Sequence, residues 1–284
     1  MKRDLQGRRV LLTGASSGIG RALAEQLARR GARLVLAARS LDKLQALQAQ
    51  LTGADQEVEV VGTDVTSDAD RRRAVEFTVE RLGGLDVLIN NAGIGSFAHF
   101  ADCDEAILRQ IMEVNFFAPA ELIRLAIPHL ARGSEPAIVN VASMCGRRGL
   151  PAWSEYSASK FALVGLSESL RAELARLAID VLVILPGLTR SDLGQHLLKN
   201  TGRMQIRFDQ GMPPEEVAAG IVRALVRGRH ETVLGREAKW LLRLNRWVPR
   251  ILDRLIARKV RRLYAEEKSE ARNPKQIQNP NRAQ

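Results

Sequence analysis

The chain has 284 residues and a formal net charge of +11 at pH 7, which is long enough for one α/β domain with a substantial core and an appendage. Its two cysteines, Cys103 and Cys145, form no disulfide framework and no metal-ligand spacing, so we expect no metal site and a reducing, cytoplasmic environment. The N-terminus has no apolar signal segment and the chain has no run of about 18 apolar residues, so neither a signal peptide nor a membrane span is expected.

Apolar runs with the length of strands alternate with helical patterns along the chain. The runs that we interpret as strands are 9–13, 34–38, 58–62, 85–90, 137–143, 180–185 and 231–234. Helical patterns include 41–51 and a longer one at 106–130. This alternation predicts an α/β fold, in which a doubly wound parallel β-sheet has helices on both faces.

A glycine-rich turn follows the first strand and leads directly into a helix. It comprises Gly14, Ala15, Ser16, Ser17, Gly18, Ile19 and Gly20. Glycines let the backbone approach a pyrophosphate closely, and the free N–H groups at the start of a helix attract its negative charge. The strand–turn–helix context therefore predicts a nucleotide-binding site, with an ordinary tight turn as the alternative.

Two polar residues, Asn115 and Ser143, stand out from apolar surroundings. Asn115 lies in the pattern at 106–130, where a hydrogen-bonded core amide is the plain interpretation. Ser143 ends the fifth strand, and ligands of open parallel sheets bind outside the carboxyl ends of the strands. Ser143 is therefore expected beside the glycine-rich turn, where its hydroxyl would hold a substrate oxygen or merely stabilise a turn.

Tyr156 and Lys160 are four residues apart in a segment with helical apolar spacing, so they lie one turn apart on one helix face. A free phenol has a pKa of about 10 and exchanges protons poorly near neutral pH. A neighbouring ammonium favours the phenolate and brings the pKa of the phenol toward a usable range. The pair suits the oxygen that gains or loses a proton when a carbonyl group is reduced, although a plain amphipathic helix would show the same spacing.

Together these segments resemble the short-chain dehydrogenase/reductase family over about residues 5–235. The motifs that carry the resemblance are 13–20, Asn90-Asn91-Ala92-Gly93, Asn115, Ser143, Tyr156-x-x-x-Lys160 and Pro186-Gly187. The resemblance implies a Rossmann-type catalytic domain, placed at 1–235, that oxidises or reduces a small-molecule alcohol or carbonyl substrate and forms a homo-oligomer. The catalytic residues that it implies are Asn115, Ser143, Tyr156 and Lys160. In this family the matching Asn holds a water that connects the lysine to solvent.

The resemblance also assigns the cofactor contacts. The residues expected at the cofactor are Gly14, Ser16, Ser17, Gly18, Ile19, Gly20, Arg39, Asp64, Val65, Asn91, Ala92, Gly93, Tyr156, Lys160, Pro186, Gly187 and Thr189. An Asp at the end of the second strand would bind the ribose of NAD. This chain instead has Ala38 followed by Arg39, whose guanidinium can pair with the 2′-phosphate of NADP. NADP(H) is therefore the expected cofactor, with a solvated Arg39 as the alternative.

Further roles come from the resemblance alone. Asp64 is expected at the adenine amino group, with capping of the next helix as the alternative. Residues 192–212 are expected to form a mobile lid over the substrate. The apolar residues of this segment, which suit a bulky or lipid-like substrate but could equally pack locally, are Leu193, Leu197, Leu198, Met204, Ile206 and Phe208.

The segment 236–264 departs from the family pattern. It contains ten basic and two acidic residues, so it carries +8 of the formal +11 charge. Its apolar residues recur at i+3 and i+4, with Pro249 as an expected kink. A basic amphipathic helix with tryptophans predicts attachment to an anionic membrane surface from the cytoplasmic side, with docking on its own domain or on a twin subunit as the alternative. Residues 265–284, rich in polar residues, are expected to be disordered.

The sequence therefore predicts an NADP(H)-dependent oxidoreductase that transfers a hydride between nicotinamide and a carbonyl or secondary alcohol, with an apolar or lipid-like substrate. A 3-oxoacyl-(acyl carrier protein) reductase is the alternative enzyme, because an acidic carrier protein would also give the basic tail a partner. A non-catalytic NADP-binding scaffold disagrees with the intact Asn-Ser-Tyr-Lys set. Nucleic acid is not an expected partner, because contacts with phosphates need charges but no apolar stripe.

Overall fold

The computed structural model describes residues 3–53, 57–190, 194, 196–203 and 206–265. Within them, seven parallel strands form one sheet in the order β3-β2-β1-β4-β5-β6-β7. The strands are β1 (Arg9–Thr13), β2 (Arg33–Ala38), β3 (Val58–Gly62), β4 (Val87–Asn90), β5 (Ala137–Val141), β6 (Asp180–Pro186) and β7 (Glu231–Leu234). The predicted doubly wound α/β fold is confirmed, and each predicted strand is present with its ends shifted by at most two residues.

Helices cover both faces of the sheet. They are α1 (Gly18–Ala28), α2 (Leu41–Leu51), α3 (Asp68–Leu82), α4 (Glu105–Met112), α5 (Ala118–Leu130), α6 (Ser154–Glu173), α7 (Pro214–Val226), α8 (Arg236–Trp247) and α9 (Pro249–Leu263). Successive strand side chains point to opposite faces, so Val10 and Leu12 pack in one apolar cluster with α1, α2 and α7, whereas Leu11 packs in another with α3 and α5. Because both faces are covered, the central strands are mostly apolar, with the buried Asn90 and Asn140 as exceptions.

The strand order reverses beside β1, which has β2 on one side and β4 on the other. In open α/β sheets the crevice at such a reversal, outside the carboxyl ends of the strands, is where ligands bind. β1 ends at the glycine-rich turn and β4 ends at Asn90, so the two motifs that follow these strands meet at this crevice.

The long helix that the pattern at 106–130 predicts is interrupted. The segment Glu113–Phe117 forms a π-helical turn between α4 and α5, and Asn115 lies at its centre. Such a turn inserts extra backbone without breaking the helix, and it often occurs at functional sites. The amphipathic spacing continues on both sides, so the sequence pattern alone gives no sign of the insertion.

The helices α8 and α9, called here the C-terminal helix pair, pack on the catalytic domain, as the docking alternative predicts. Ala238 and Leu252 are buried, and a Cβ placed on Gly187 would lie 3.0 Å from the Cβ of Ala238. Pro249 separates the two helices at the expected position. The predicted disordered end lies outside the described residues except for Ala265.

Candidate active site

The glycine-rich turn takes a conformation that requires glycine at two positions. Gly14 has φ +66°, and a Cβ on it would lie 2.8 Å from the Cα of Ala92. A Cβ on Gly20 would lie 2.0 Å from the carbonyl oxygen of Gly14, so only glycine lets α1 pack this close to the turn. The turn and the start of α1 therefore leave backbone exposed to the crevice, as a pyrophosphate site requires.

The loop after β4 holds this turn in place. The Nδ2 of Asn91 donates to the carbonyl oxygens of Thr13 and Gly14, both at 3.1 Å. In return, the hydroxyl of Thr13 accepts from the backbone N–H groups of Asn91 (3.1 Å) and Ala92 (3.2 Å). Asn91, Ala92 and Gly93 thus line the same cavity as the glycine-rich turn.

Two charged groups lie where the adenosine half of a dinucleotide is expected. Arg39 is exposed at the end of β2 and lines the cavity, and so does Lys43 on α2, which the sequence analysis missed. Arg39 precedes α2, so its spacing to Lys43 is not a helical one and gives no local signal for Lys43. Asp64 and Val65 line the same cavity.

The capping alternative for Asp64 is wrong. The Oδ1 of Asp64 accepts from the backbone N–H (2.9 Å) and the hydroxyl (2.7 Å) of Thr66, closing a local turn. The hydroxyl of Ser67 caps α3 instead, accepting from the N–H of Asp70 at 3.2 Å. The expected adenine contact of Asp64 stays a prediction.

Ser143, Tyr156 and Lys160 converge at the carboxyl end of β5. Ser143 follows this strand, and its Oγ accepts from the N–H of Cys145 at 3.1 Å, so the hydroxyl also stabilises a turn. Tyr156 and Lys160 lie one turn apart near the start of α6 and both are buried. The Lys160 Nζ donates to the carbonyl oxygen of Val141 at 3.1 Å and lies 5.7 Å from the ring centroid of Tyr156.

Burial dominates the electrostatics of this pair. Desolvation raises the pKa of Tyr156, an effect that a hydrogen bond with Ser143 partly offsets. Desolvation lowers the pKa of Lys160 to about 8. The phenol's pKa is therefore raised rather than lowered as expected, because Lys160 donates to a carbonyl oxygen rather than to the phenol and burial penalises the phenolate.

Asn115 faces the lysine from the π-helical turn. Its Oδ1 accepts from the N–H of Ile94 (3.0 Å), and its Nδ2 donates to the carbonyl oxygen of Ile94 (2.9 Å) and to the hydroxyl of Ser159 (2.9 Å). The amide is thus a satisfied core group. A Cβ placed on Gly93 would lie 3.3 Å from the Asn115 Oδ1 and 3.5 Å from the Lys160 Nζ, so the amide and the ammonium flank one glycine. The water link between them stays a prediction.

One cavity of about 1840 Å³ is lined by the glycine-rich turn and by Ser143, Tyr156 and Lys160, whereas the buried Asn115 does not line it. Pockets for single small ligands are usually about 300–1,000 Å³, so this cavity has room for more than one. Pro186, Gly187 and Thr189 line it after β6, and the Thr189 hydroxyl donates to the Gly187 carbonyl oxygen at 3.1 Å.

The part of the cavity beside Tyr156 is apolar. The Trp153 ring packs edge-on against the Tyr156 ring at 5.3 Å, and Leu197, Ile206 and Phe208 of the expected lid pack in the same cluster. Leu193 and Met204 lie outside the described residues. The sequence analysis missed Trp153, although a residue three before Tyr156 at a helix start lies on the same side. It also missed the cavity-lining residues of the C-terminal helix pair, Leu241, Leu244 and Ile256.

The site fits a nicotinamide dinucleotide. The glycine-rich turn brings bare backbone to the crevice, and Arg39 and Lys43 line the cavity. The groups suited to proton transfer, Ser143, Tyr156 and Lys160, line the same cavity. This fold and site define a nucleotide-dependent oxidoreductase.

Comparison with known proteins agrees. The sequence pattern of the short chain dehydrogenase family matches residues 8–202, so the chain belongs to this family. It is 32% identical over 258 residues to "Uncharacterized oxidoreductase YxnA" of Bacillus subtilis, with 89% of this chain and 72% of that protein covered. It is 36% identical over 266 residues to "11-beta-hydroxysteroid dehydrogenase-like 4A" of Arabidopsis thaliana, with 91% of this chain and 85% of that protein covered.

Solved structures show the same architecture. A short chain dehydrogenase/reductase from Burkholderia phymatum in complex with NAD superposes with a TM-score of 0.79 at 25% identity, covering 88% of this chain and 96% of the other. A short chain dehydrogenase from Burkholderia cenocepacia in complex with NADP has a TM-score of 0.77 at 26% identity, covering 89% and 99%. The protein is therefore an oxidoreductase of the short-chain type, acting on CH–OH groups.

Among the described residues, no helix is both long and apolar enough to cross a bilayer.

Proposed function

We propose that this protein is an NADP(H)-dependent oxidoreductase that interconverts an apolar carbonyl compound and its secondary alcohol. The observation that carries the proposal is the convergence of Ser143, Tyr156 and Lys160 in a cavity that continues into the nucleotide crevice. When bound, the nicotinamide cofactor supplies or accepts the hydride.

The chain's own residues handle the proton. In the direction of reduction, the Ser143 and Tyr156 hydroxyls hold the carbonyl oxygen of the substrate, and the phenol of Tyr156 donates its proton to that oxygen. The Lys160 ammonium stabilises the phenolate that forms, and Asn115 supports the return of a proton from solvent. The burial of Tyr156 excludes bulk water from the transfer. In the oxidation direction each step is reversed.

The preference for NADP(H) rests on charge. The end of β2 offers Arg39 rather than a carboxylate, and Lys43 lines the cavity near it. Two cations favour a 2′-phosphate and give little to a ribose hydroxyl. The NADP complex of the Burkholderia cenocepacia relative supports this choice. Because the Burkholderia phymatum relative was solved with NAD, the affinity for NAD(H) has to be measured beside that for NADP(H).

The apolar substrate follows from the lining around Tyr156. Trp153, Leu197 and Phe208 offer rings and aliphatic groups rather than hydrogen-bond partners. The hydroxysteroid dehydrogenase name of the Arabidopsis relative agrees with a bulky apolar compound. The alternative substrate is a 3-oxoacyl thioester on an acidic carrier protein. It is supported by the ten exposed basic residues of α8 and α9, which could bind the acidic carrier.

We also propose that the C-terminal helix pair, treated as an extension of the catalytic domain, attaches the protein peripherally to an anionic membrane. An exposed apolar stripe runs along both helices at helical spacing: Trp240, Leu244, Trp247, Ile251 and Leu255. Trp247 is 80% exposed and Trp240 62%, which is unusual for large apolar rings in water. The basic residues of the pair suit an anionic headgroup layer.

The test of the reaction is the Tyr156→Phe variant. It removes the proton donor but keeps the ring, so it should bind NADP(H) nearly as well as the natural protein. Turnover should fall by a factor of roughly 10²–10⁴, the usual worth of general acid catalysis. An NADPH-oxidation screen over steroid ketones, long-chain ketones and 3-oxoacyl thioesters finds the substrate, and undiminished turnover by the variant would contradict the proposed role.

A further inference from the structure

The C-terminal helix pair touches the active site as well as the surface. Leu241 and Leu244 of α8 and Ile256 of α9 line the same cavity as Ser143 and Tyr156. Leu241 and Ile256 are half-buried, whereas Ile251 and Leu255 on the neighbouring stripe of α9 are exposed and do not line the cavity. The pair therefore contributes apolar side chains to the cavity beside the charged Glu237 and Lys259, and its exposed stripe shares Leu244 with the cavity lining.

Arg148 lies in the loop that begins at Ser143 and forms hydrogen bonds with both helices of the C-terminal helix pair. Its two terminal nitrogens donate to the Asn245 Oδ1 on α8 (2.9 Å) and to the Asp253 Oδ1 on α9 (2.5 Å). The Asn245 Nδ2 donates back to the carbonyl oxygen of Arg147 at 3.4 Å. The Arg148 side chain is 15% exposed, whereas that of Asp253 is 61% exposed, so water still screens their ion pair in part. A single side chain thus contacts both helices on either side of the Pro249 break.

The same loop is held on its other side. Arg147 pairs with Glu168 of α6, the helix that carries Tyr156 and Lys160, and with Glu231 of β7. The adjacent arginines therefore connect the helix pair, the catalytic helix and the sheet edge. The position of Leu241 and Ile256 relative to Tyr156 is fixed through these contacts.

From these contacts we infer that the C-terminal helix pair is a wall of the substrate site, that Arg148 is its positioning residue, and that the substrate is an elongated apolar ketone or alcohol. The inference rests on the proposed carbonyl chemistry. The cavity that contains Tyr156 is lined by Trp153, Leu150 and Phe208 of the catalytic domain and also by Leu241, Leu244 and Ile256 of the helix pair. A short ketone bound at Tyr156 gains little from the helix pair, whereas a long one contacts both sets of residues.

The test uses methyl ketones of two lengths, 2-butanone and 2-dodecanone, without vesicles. Ile256→Ala should lower kcat/KM for 2-dodecanone about ten-fold more than for 2-butanone, since methylene contacts in an apolar pocket discriminate about ten-fold or more. Ile251→Ala is the matched control, with the same residue type on the same helix outside the cavity. It should leave the ratio of the two substrates within two-fold of that of the natural protein.

Arg148→Ala tests the positioning role. It should raise KM for 2-dodecanone about ten-fold relative to KM for 2-butanone, and Arg148→Lys, which keeps one charged bond, should restore part of the difference. In the Arg148→Ala background, Ile256→Ala should have almost no further effect, because residues that act as one unit are non-additive. If KM rises equally for both substrates, or if the effects of the two substitutions are fully additive, the role of Arg148 is only structural. Either result would overturn its assignment as the positioning residue.

Binding measurements separate this inference from the reaction. Calorimetric titration of the NADPH-saturated protein with 2-dodecanol and 2-butanol measures binding at this wall without turnover, because the reduced cofactor cannot accept a hydride from an alcohol. Ile256→Ala should weaken 2-dodecanol about ten-fold and Ile251→Ala should not. If the alcohols bind with this selectivity but no ketone is reduced, the proposed reaction is wrong and the role of the helix pair as a wall of the binding site is kept. If the natural protein binds both alcohols equally, the helix pair is not a wall of the binding site.

Discussion

Lys160 is a buried amine whose proton affinity is adjusted by its surroundings. It has no carboxylate partner among the described ion pairs and donates to a carbonyl oxygen. Desolvation therefore lowers its pKa to about 8, and the electrostatic interaction with Cys145 offsets this only in part. A lysine with such a pKa changes charge in the range in which enzymes are assayed. Tyr156 lies close to this charge, since its ring centroid is 5.7 Å from the Lys160 Nζ.

We therefore expect the rate of carbonyl reduction to depend on pH through this lysine. The sign follows from its role: the ammonium stabilises the phenolate that forms on Tyr156, so kcat/KM is highest below the pKa. It should fall about ten-fold per pH unit as the pH rises above about 8. Lys160→Arg, whose charge persists above about pH 12, should remove this fall even if its maximal rate is lower. A profile of the natural protein that is flat between about pH 7 and 9.5 would contradict the assignment.

Arg39 decides the cofactor in our proposal. Arg39→Ala should weaken NADP(H) about ten- to a hundred-fold, because a hydrogen bond to a charged group is worth about 1.5–3 kcal/mol. NAD(H) has no 2′-phosphate, so its affinity should change by less than about two-fold. Arg30→Ala, an exposed arginine outside the cavity, is the control and should change neither affinity. Fluorescence titration measures both cofactors, and an equal loss for both would mean that Arg39 does not contact the phosphate.

At the scale of elements, a series of buried side-chain hydrogen bonds connects β4, β5 and α6. The Asn90 Nδ2 donates to the Asn140 Oδ1 at 2.9 Å, and the Asn140 Nδ2 donates to the Ser167 hydroxyl at 2.8 Å. Both asparagines are buried in strands that otherwise carry apolar side chains. This series of hydrogen bonds fixes α6, and with it Tyr156 and Lys160, relative to the carboxyl end of the sheet.

Ser167→Ala should therefore destabilise the fold by about 1–3 kcal/mol, because it leaves the Asn140 Nδ2 buried without its acceptor. Ser169→Ala is the matched control on the same helix. Its hydroxyl also donates to the carbonyl oxygen four residues earlier, but it is exposed and supports no buried group. Urea unfolding should show a lower midpoint for the first variant and a change within about 0.5 kcal/mol for the second. Similar midpoints for both would refute the structural role of this series of hydrogen bonds.

The elements that sequence patterns predicted well are those with local signals. Strands are bounded by turns, the glycine-rich turn has its own spacing, and Tyr156 and Lys160 are related by one helical turn, so each could be assigned from neighbouring residues. The π-helical turn at Asn115 could not be, because apolar spacing tolerates one inserted residue. The contacts of Arg148 with Asn245 and Asp253 join residues about a hundred positions apart, and no local pattern records such a pairing.

The whole molecule is strongly asymmetric in charge and in exposed apolar surface. Most of its net charge and both of its exposed tryptophans among the described residues lie on the C-terminal helix pair. These helices dock on the domain through Ala238 and Leu252 and still expose the stripe from Trp240 to Leu255. Removing the pair would uncover the cavity, so substitutions on the stripe are the cleaner probe of membrane attachment.

We expect the double variant Trp240→Ser/Trp247→Ser to lose affinity for vesicles that contain an anionic phospholipid. The expected loss is at least ten-fold, because two buried indole rings contribute well over about 1.4 kcal/mol together. Phe100→Ser, at an aromatic residue that is 64% exposed outside the helix pair, is the control and should bind like the natural protein. Salt should weaken the binding, since charges are screened within about 8–10 Å. Co-sedimentation with vesicles at two salt concentrations measures this binding. If the natural protein does not bind the vesicles at low salt, membrane attachment is ruled out.

The meeting of β1 and β4 has a consequence for how the protein folds. The glycine-rich turn is held by Asn91 through bonds that span 77 and 78 residues, so the nucleotide crevice does not exist until distant parts of the chain have paired. Parallel pairings of this range form slowly, since loop closure must precede them. A dinucleotide can therefore bind only the late, nearly complete state, and at a hundred times its Kd it would stabilise that state by about 2.7 kcal/mol. In a growing cell, the supply of cofactor would then affect how often completed chains reopen to proteases, but not how long new chains take to fold.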